Sequence, residues 1–473
     1  MSSRIPAPVS QLRPQGSLRP PSVEAVLVEV RPRVGSGVGE RDPDALTAVV
    51  REVIADERAR LSRQAGSTAA SPQTASDLAD EVVRRLAILD GRVGAEPVIN
   101  ATGVLIHTNL GRTSWAETAI AAAAAAARDP VMLEFDRDTG RRGRRFREVD
   151  AHLIALTGAD DALVVNNNAA AVALAVALAG RGGVVVSRGE LVEIGGGVRV
   201  PEIVRRAGAR LIEVGTTNRT RAEDYEEPLA AGRARLVLRV HPSNFRQTGF
   251  TESPDPRAVA ALAHAHGALV VDDLGSGALL DTERVGLVHE PTPRERLADG
   301  ADVVTFSGDK LVGGPQAGFV VGRADLIGRL RRDPLARAMR PDKVVLAAVT
   351  ATLASYRAGT ALRDIPVWRQ LSTPVAALEV RAQAIVARLA DAHVVPVEST
   401  VGGGSLPGET LPSRAVALRV ASPDRLLRRL RMGVPAVIGR IEGDQVVLDL
   451  RTVDPAHDDD LTGAVGRALA GKR

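Results

Sequence analysis

From Ser22 to about Asp90 apolar residues recur three and four apart, in VEAVLVEV (23–30), DALTAVVREVIADERARL (44–61) and SDLADEVVRRLAIL (76–89). That period predicts helices that bury one face, with Ser76 as the cap of the third and Asp42 or Asp44 as the cap of the second. From about residue 95 to 340 the period changes. Short apolar runs at Ala162–Val165, Gly183–Ser187, Arg210–Val214, Arg235–Val240, Ala268–Val271, Asp302–Phe306 and Gly318–Val321 alternate with helical stretches such as AAAVALAVALAG and DPRAVAALAHAHG. Strands that are apolar on both faces and joined by helical crossovers predict a mostly parallel, seven-stranded sheet in an α/β domain. A helix is expected from Lys343 to about Arg363. After it, the glycine-rich segment 401–413 separates helix from the strand AVALRV, and AVIGRIEGDQVVLDLRTV reads as a hairpin turning at Gly443-Asp444. The expected organisation is a mobile tail at 1–21, a helical domain at 22–92, a large α/β domain at 93–345 and a small α+β domain at 346–473.

Composition narrows the chemistry. With no cysteine in 473 residues, disulfides, zinc–thiolate centres, iron–sulfur clusters and thiol nucleophiles are excluded. The longest apolar run, Ala169–Ala179, falls short of the ~20 residues that cross a bilayer, and MSSRIPAPVSQLRPQG has no apolar signal core, so a cytoplasmic protein without a membrane partner is expected. Net charge is only +4, which permits a nucleic-acid partner without demanding one. The basic residues are distributed unevenly. Lys310, Lys343 and Lys472 are the only lysines, against 58 arginines.

That scarcity draws attention to Lys310, in T-F-S-G-D-K-L-V-G-G-P just past a strand. Surface lysines have nearly all become arginine here, and arginine cannot form a Schiff base, so a lysine kept among apolar residues and glycines suggests that the amine is required. Pyridoxal phosphate calls for such an amine, for a carboxylate facing its pyridine nitrogen and for a phosphate cradle. Asp272 and Asp273 end the strand at 268–271. Successive strand residues face opposite sides, so only one of the two can reach the ring. Asn167, Asn168 and Ala169, where a strand passes into an alanine-rich helix, fit a cradle of backbone N–H groups, and the Ser307 hydroxyl fits the phosphate. His241, at a strand end, is either beside the cofactor or a polar strand terminus. The loop RRGRRFR (141–147) either meets RNA phosphate or is a solvated arginine loop.

These strings resemble the bacterial selenocysteine synthase, or L-seryl-tRNA(Sec) selenium transferase, family. The resemblance lies in PVINATGVLIHTNLGR (97–112), LVVNNNAAAV (163–172), SRGELVEIGGGVRVPEI (187–203), EVGTTNRT (213–220), VHPSNFRQTGF (240–250), VVDDLGSGAL (270–279), VTFSGDKLVGGPQAG (304–318) and GRIEGDQVVLDLRTV (439–453). It implies the fold of type I pyridoxal-phosphate transferases with a tRNA-binding helical N-terminal domain, and homo-oligomers built as rings of dimers, by family likeness decamers. It also implies that Lys310 carries the cofactor, that Asp273 rather than Asp272 faces the ring, and that Arg112, Arg337 and Arg340 bind the selenophosphate anion. The implied reaction converts L-seryl-tRNA(Sec) to L-selenocysteinyl-tRNA(Sec) by loss of water to an aminoacrylyl-tRNA and addition of selenium. Ser114, Trp115, Val198, Phe146 and Phe245 depart from the family pattern, the two phenylalanines standing where tyrosine is common. Two rival functions share parts of the pattern: a fold-type-I pyridoxal-phosphate lyase or ammonia-lyase acting on a small free amino acid, and a non-catalytic RNA-binding protein.

Overall fold

The structure, a computed structural model, describes residues 19–33, 43–64, 71–89, 96–194 and 197–470. Most of the expected tail, Asp42, Gly195, Gly196 and Lys472 lie outside these residues. The chain divides into two compact units, Met1–Pro97 and Val98–Arg473.

In the first unit α1 (Val23–Val30), α2 (Pro43–Arg63) and α3 (Ala75–Leu89) turn Val26, Val30, Val50, Val53, Leu78 and Val82 into one apolar cluster. Ser22 caps α1, its Oγ accepting from Ala25 N at 3.2 Å. Ser76 does not cap α3, which starts two residues earlier than a cap at Ser76 implies. Thr74 and Asp77 instead satisfy each other's backbone N–H groups, at 3.2 and 2.9 Å, and the Ser76 hydroxyl accepts from Arg33 at 2.7 Å. Arg33, Arg60, Arg84 and Arg85 are each paired with a carboxylate.

In the second unit, β1 (Asp161–Val165), β2 (Gly183–Ser187), β3 (Arg210–Val214), β4 (Ala234–Val240), β5 (Leu269–Gly275), β6 (Val303–Ser307) and β7 (Gly318–Gly322) form a seven-stranded sheet in the order β1-β7-β6-β5-β4-β2-β3. Only β7 runs against its neighbours. The sheet is buried on both faces: Val304 and Phe306 of β6 enter one apolar cluster and Val303 enters another. Helix α4 (Asn168–Val176) covers the second face, and α5 (Lys343–Arg357) the first.

Two strand limits differ from expectation for identifiable reasons. Asp302 precedes β6 because its carboxylate accepts from Val270 N at 2.8 Å and Arg323 at 2.9 Å. β5 continues through both aspartates to Gly275, since Asp272 and Asp273 still pair with Arg239 and Val240 on one side and with Val304 and Thr305 on the other.

The C-terminal region departs further. Residues 401–413 do not separate helix from strand. They turn a long hairpin between β8 (Ala392–Gly402) and β9 (Thr410–Leu418), paired from Ala392↔Leu418 to Thr400↔Thr410. The Gly443-Asp444 turn does join β10 (Arg440–Glu442) to β11 (Gln445–Asp449), both turn residues having positive φ, as a tight hairpin requires. The preceding Ala436–Ile438 leaves the hairpin to pair with Val98–Asn100. The sheet is completed by Val104–Ile106 alongside β8.

Candidate active site

The parallel strands end on one edge of the large sheet, the edge at which open α/β folds bind ligands. β6 delivers Lys310 there through a closed turn. Gly308 N donates to Ala317 O at 2.8 Å, Gly313 N to Lys310 O at 2.9 Å and Leu311 N to Ser276 O at 3.1 Å. Beneath the turn, buried Trp368 donates through Nε1 to Leu311 O at 2.8 Å, and the Tyr356 hydroxyl lies 2.9 Å from Val312 O.

Lys310 is 6% exposed. Burial holds its amine below the ordinary lysine range, and the Arg112 charge adds to this, against the opposing carboxylates of Asp273, Asp309 and Glu290. Two glycines leave room for the amine. A carbon built on Gly275 would sit 3.8 Å from Lys310 Nζ and 3.3 Å from Ser243 Oγ, and one built on Gly404, in the β8–β9 turn, would sit 2.5 Å from Nζ.

The two aspartates separate as strand alternation requires. Asp273 Oδ1 accepts from Asn168 Nδ2 at 2.8 Å and from Thr305 Oγ1 at 3.0 Å. Burial raises its pKa, while those two donors and the Lys310 charge lower it. Asp272 is placed among Arg239 and Arg296, with Arg296 Nε 3.6 Å from its Oδ2. Asp273 is thus grouped with Lys310, and Asp272 is not.

Asn167 caps α4, its Oδ1 accepting from Ala170 N at 2.9 Å, which leaves the amides of Asn168 and Ala169 at a partly exposed helix start. Gly318 lets β7 pass beneath: a Cβ there would meet Asn167 O at 2.1 Å. Ser307 pairs with Gly318, so it ends β6 two strands from Val165, at the same sheet edge as the helix start. His241 follows β4, donates its backbone N–H to Asp273 O at 2.8 Å and lies with Nδ1 3.8 Å from Glu290 Oε1. Burial, together with the Arg296, Arg239 and Lys310 charges, pushes the imidazole down to about 4, so it is neutral at physiological pH.

The three arginines have separate surroundings. Arg112, at φ +66°, pairs with Asp309 at 3.2 Å, beside Lys310. Arg340 pairs with Glu134 at 3.5 Å, and Arg337 is exposed with no hydrogen bond or ion pair among the described residues. Their segment is tied to the helix start by Asn166 N donating to Met339 O at 2.8 Å. The loop at 141–147 is largely engaged within the fold: Arg142 and Arg145 bind Glu134, and Arg144 binds Asp150 and Asp161.

Thr305, Asp309, Glu290 and Gly404 were not anticipated from the sequence. Only the first two stand near a recognisable motif. A cavity of about 430 Å³ opens beside His241 and Glu290 and is also lined by Phe245, Arg219, Arg246 and Leu406.

Residues 98–454 match the family model of L-seryl-tRNA selenium transferases. The chain is 46% identical to the L-seryl-tRNA(Sec) selenium transferase of Methylocella silvestris, over 91% of this chain and 93% of that one. It is 43% identical to the enzyme of the same name from Moorella thermoacetica, over 90% and 91%. Among solved structures, D-glucosaminate-6-phosphate ammonia-lyase superposes with a TM-score of 0.58 at 23% identity, covering 81% of this chain and 98% of that chain, a likeness of fold.

Proposed function

The chain belongs to the L-seryl-tRNA selenium transferase family, and on that premise we propose that it converts L-seryl-tRNA(Sec) to L-selenocysteinyl-tRNA(Sec), with pyridoxal phosphate at Lys310 and selenophosphate as the selenium donor. The observation that carries the proposal is the grouping of a buried lysine and a buried carboxylate beside an open helix start.

These residues fit the cofactor. Both hydrogen bonds to Asp273 fall on Oδ1, so Oδ2 is used by neither donor and suits a pyridinium N–H. The free amides of Asn168 and Ala169, with Ser307 at the same edge, suit the phosphate, and Lys310 supplies the amine. When bound, pyridoxal phosphate withdraws electrons from the carbon bearing a joined amine and so acidifies its proton. Asp273 keeps the ring nitrogen protonated. Lys310, whose lowered pKa favours the neutral amine, takes the α-proton of the seryl group and returns a proton to the departing β-hydroxyl. Arg112, fixed by Asp309 next to that amine, receives the anionic selenium donor, with Arg337 and Arg340 as further anion ligands. In this proposal the helical N-terminal unit holds tRNA, and the protein is a cytoplasmic homo-oligomeric ring of dimers; these parts rest on family resemblance. No helix among the described residues is long and apolar enough to cross a membrane.

The test uses purified protein with pyridoxal phosphate, seryl-tRNA(Sec) and selenophosphate. Schiff-base absorbance that disappears in Lys310→Ala, together with selenocysteinyl-tRNA formation, is the expected result. Turnover of free amino acids but not of seryl-tRNA would instead favour a lyase.

A further inference from the structure

The cavity beside His241 shares two wall residues with the surroundings of the reacting amine. His241 and Glu290 line it, and both interact electrostatically with Lys310. Ser243, two residues past His241, has its hydroxyl within 4 Å of the same point over Gly275 as Lys310 Nζ. The other wall carries Leu406 and Pro407, from the turn whose Gly404 abuts Lys310.

Aromatic residues are rare in this chain: six Phe, two Trp and two Tyr in 473 residues. Two of the ten occupy the single loop 241–250. Phe245 lines the cavity, and Phe250, at 85%, is the most exposed of the large hydrophobic side chains at this site. Phe250 is held at the rim, its carbonyl accepting from Asn218 Nδ2 at 2.7 Å, with Asn218 and Thr251 both in the cavity wall. The same wall carries Arg219, whose exposed guanidinium has no hydrogen bond or ion pair among the described residues. An exposed aromatic ring, an unpaired arginine and a polar recess are the parts with which proteins hold unpaired nucleotides.

The chemistry fixes which nucleotides these would be. In an aminoacyl ester one carbonyl carbon and one oxygen separate the α-carbon from the terminal ribose, so the ribose must lie within about 4 Å of the carbon that Lys310 deprotonates. We infer that this cavity receives the 3′-terminal nucleoside of the aminoacyl-tRNA beside Phe245, with the preceding base stacked on Phe250 and the connecting phosphate on Arg219. The inference rests on the function proposed above and adds a substrate subsite to it.

Phe250→Ala and Arg219→Gln alter exposed side chains outside the cofactor site, so Schiff-base absorbance should be unchanged. Each should raise KM for seryl-tRNA about fivefold or more, while affinity for tRNA lacking its last three nucleotides stays at the wild-type value. With 2-aminopurine as the penultimate nucleotide, wild-type protein should quench its fluorescence on binding and Phe250→Ala should not. Equal quenching by both proteins, or an equal loss of affinity for the truncated tRNA, would overturn the inference. If wild-type protein fails to turn over seryl-tRNA, the proposed function falls, and the quenching measurement still decides the nucleotide site.

Discussion

Asn168 Nδ2 donates to Asp273 Oδ1 at 2.8 Å, joining the first residue of α4 to the carboxylate that faces Lys310. One residue therefore serves the helix start through its backbone and the buried carboxylate through its side chain. Asn168→Ala removes one of two donors that keep a desolvated carboxylate ionised. A hydrogen bond to a charged group contributes about 1.5–3 kcal/mol, so turnover of seryl-tRNA should fall about tenfold to a hundredfold. Asp273 should also titrate at higher pH, visible in the pH dependence of the cofactor absorbance. Wild-type turnover in this variant would show that Thr305 alone is sufficient.

Arg112 acts on Lys310 by charge as well as on any bound anion. Its guanidinium lowers the Lys310 pKa, so Arg112→Gln should raise that pKa and leave less neutral amine at a given pH. The acidic limb of the pH–rate profile is then expected to move to higher pH. Loss of a charge-assisted donor should raise KM for selenophosphate by about tenfold. A changed KM with an unmoved pH profile would confine Arg112 to anion binding.

His241 makes stability depend on pH with a definite sign. Its folded-state value of about 4 lies below the ordinary 6.5, so the unfolded chain takes up the proton first. Its contribution is fully present above pH 6.5 and is lost as pH falls toward 4, by an amount on the order of 3 kcal/mol. Glu190 acts in the opposite sense: burial pushes it up to about 7, so its contribution is lost as pH rises from 4.5 to 7. Comparing wild type with His241→Gln isolates the histidine. In denaturant titrations the variant should gain on wild type between pH 7.5 and pH 5, and a constant gap would contradict the assignment.

Tyr356 is remote from the reacting atoms, yet its hydroxyl meets the carbonyls just beyond Lys310 and accepts from Trp368 Nε1 at 2.6 Å. Tyr356→Phe deletes that hydroxyl from a fully enclosed site and should destabilise the protein by about 1–3 kcal/mol. A lower unfolding midpoint with intact cofactor absorbance is the expected pairing.

The large sheet was legible in the sequence because its strands are buried on both faces. Gly183–Ser187, buried at every residue, is bounded in the structure as its apolar run predicts. The grouping of Lys310 with Asp273 was legible because one follows and the other lies near the end of neighbouring parallel strands, which end at one edge. β8 escaped notice because it presents only alternate residues to the core, Val397, Ser399 and Val401, and contains Pro396. Val104–Ile106 is three residues long and finds its partner near residue 402, a pairing that no local pattern reveals. Thr305 could be seen as a strand residue, but its bond to Asp273 depends on the register between β5 and β6. Arg337 and Arg340 were placed by resemblance; in the structure Arg340 pairs with Glu134 and Arg337 is exposed.

The closeness of Gly404 to Lys310 ties two remote parts of the sequence to one small volume. The room in which the lysine can swing is bounded by backbone from the C-terminal sheet, so a single added methyl group at 404 would compete with the amine for space. Insertions or deletions in the β8–β9 turn should therefore register at the reacting nitrogen before they register in the sheet that carries them.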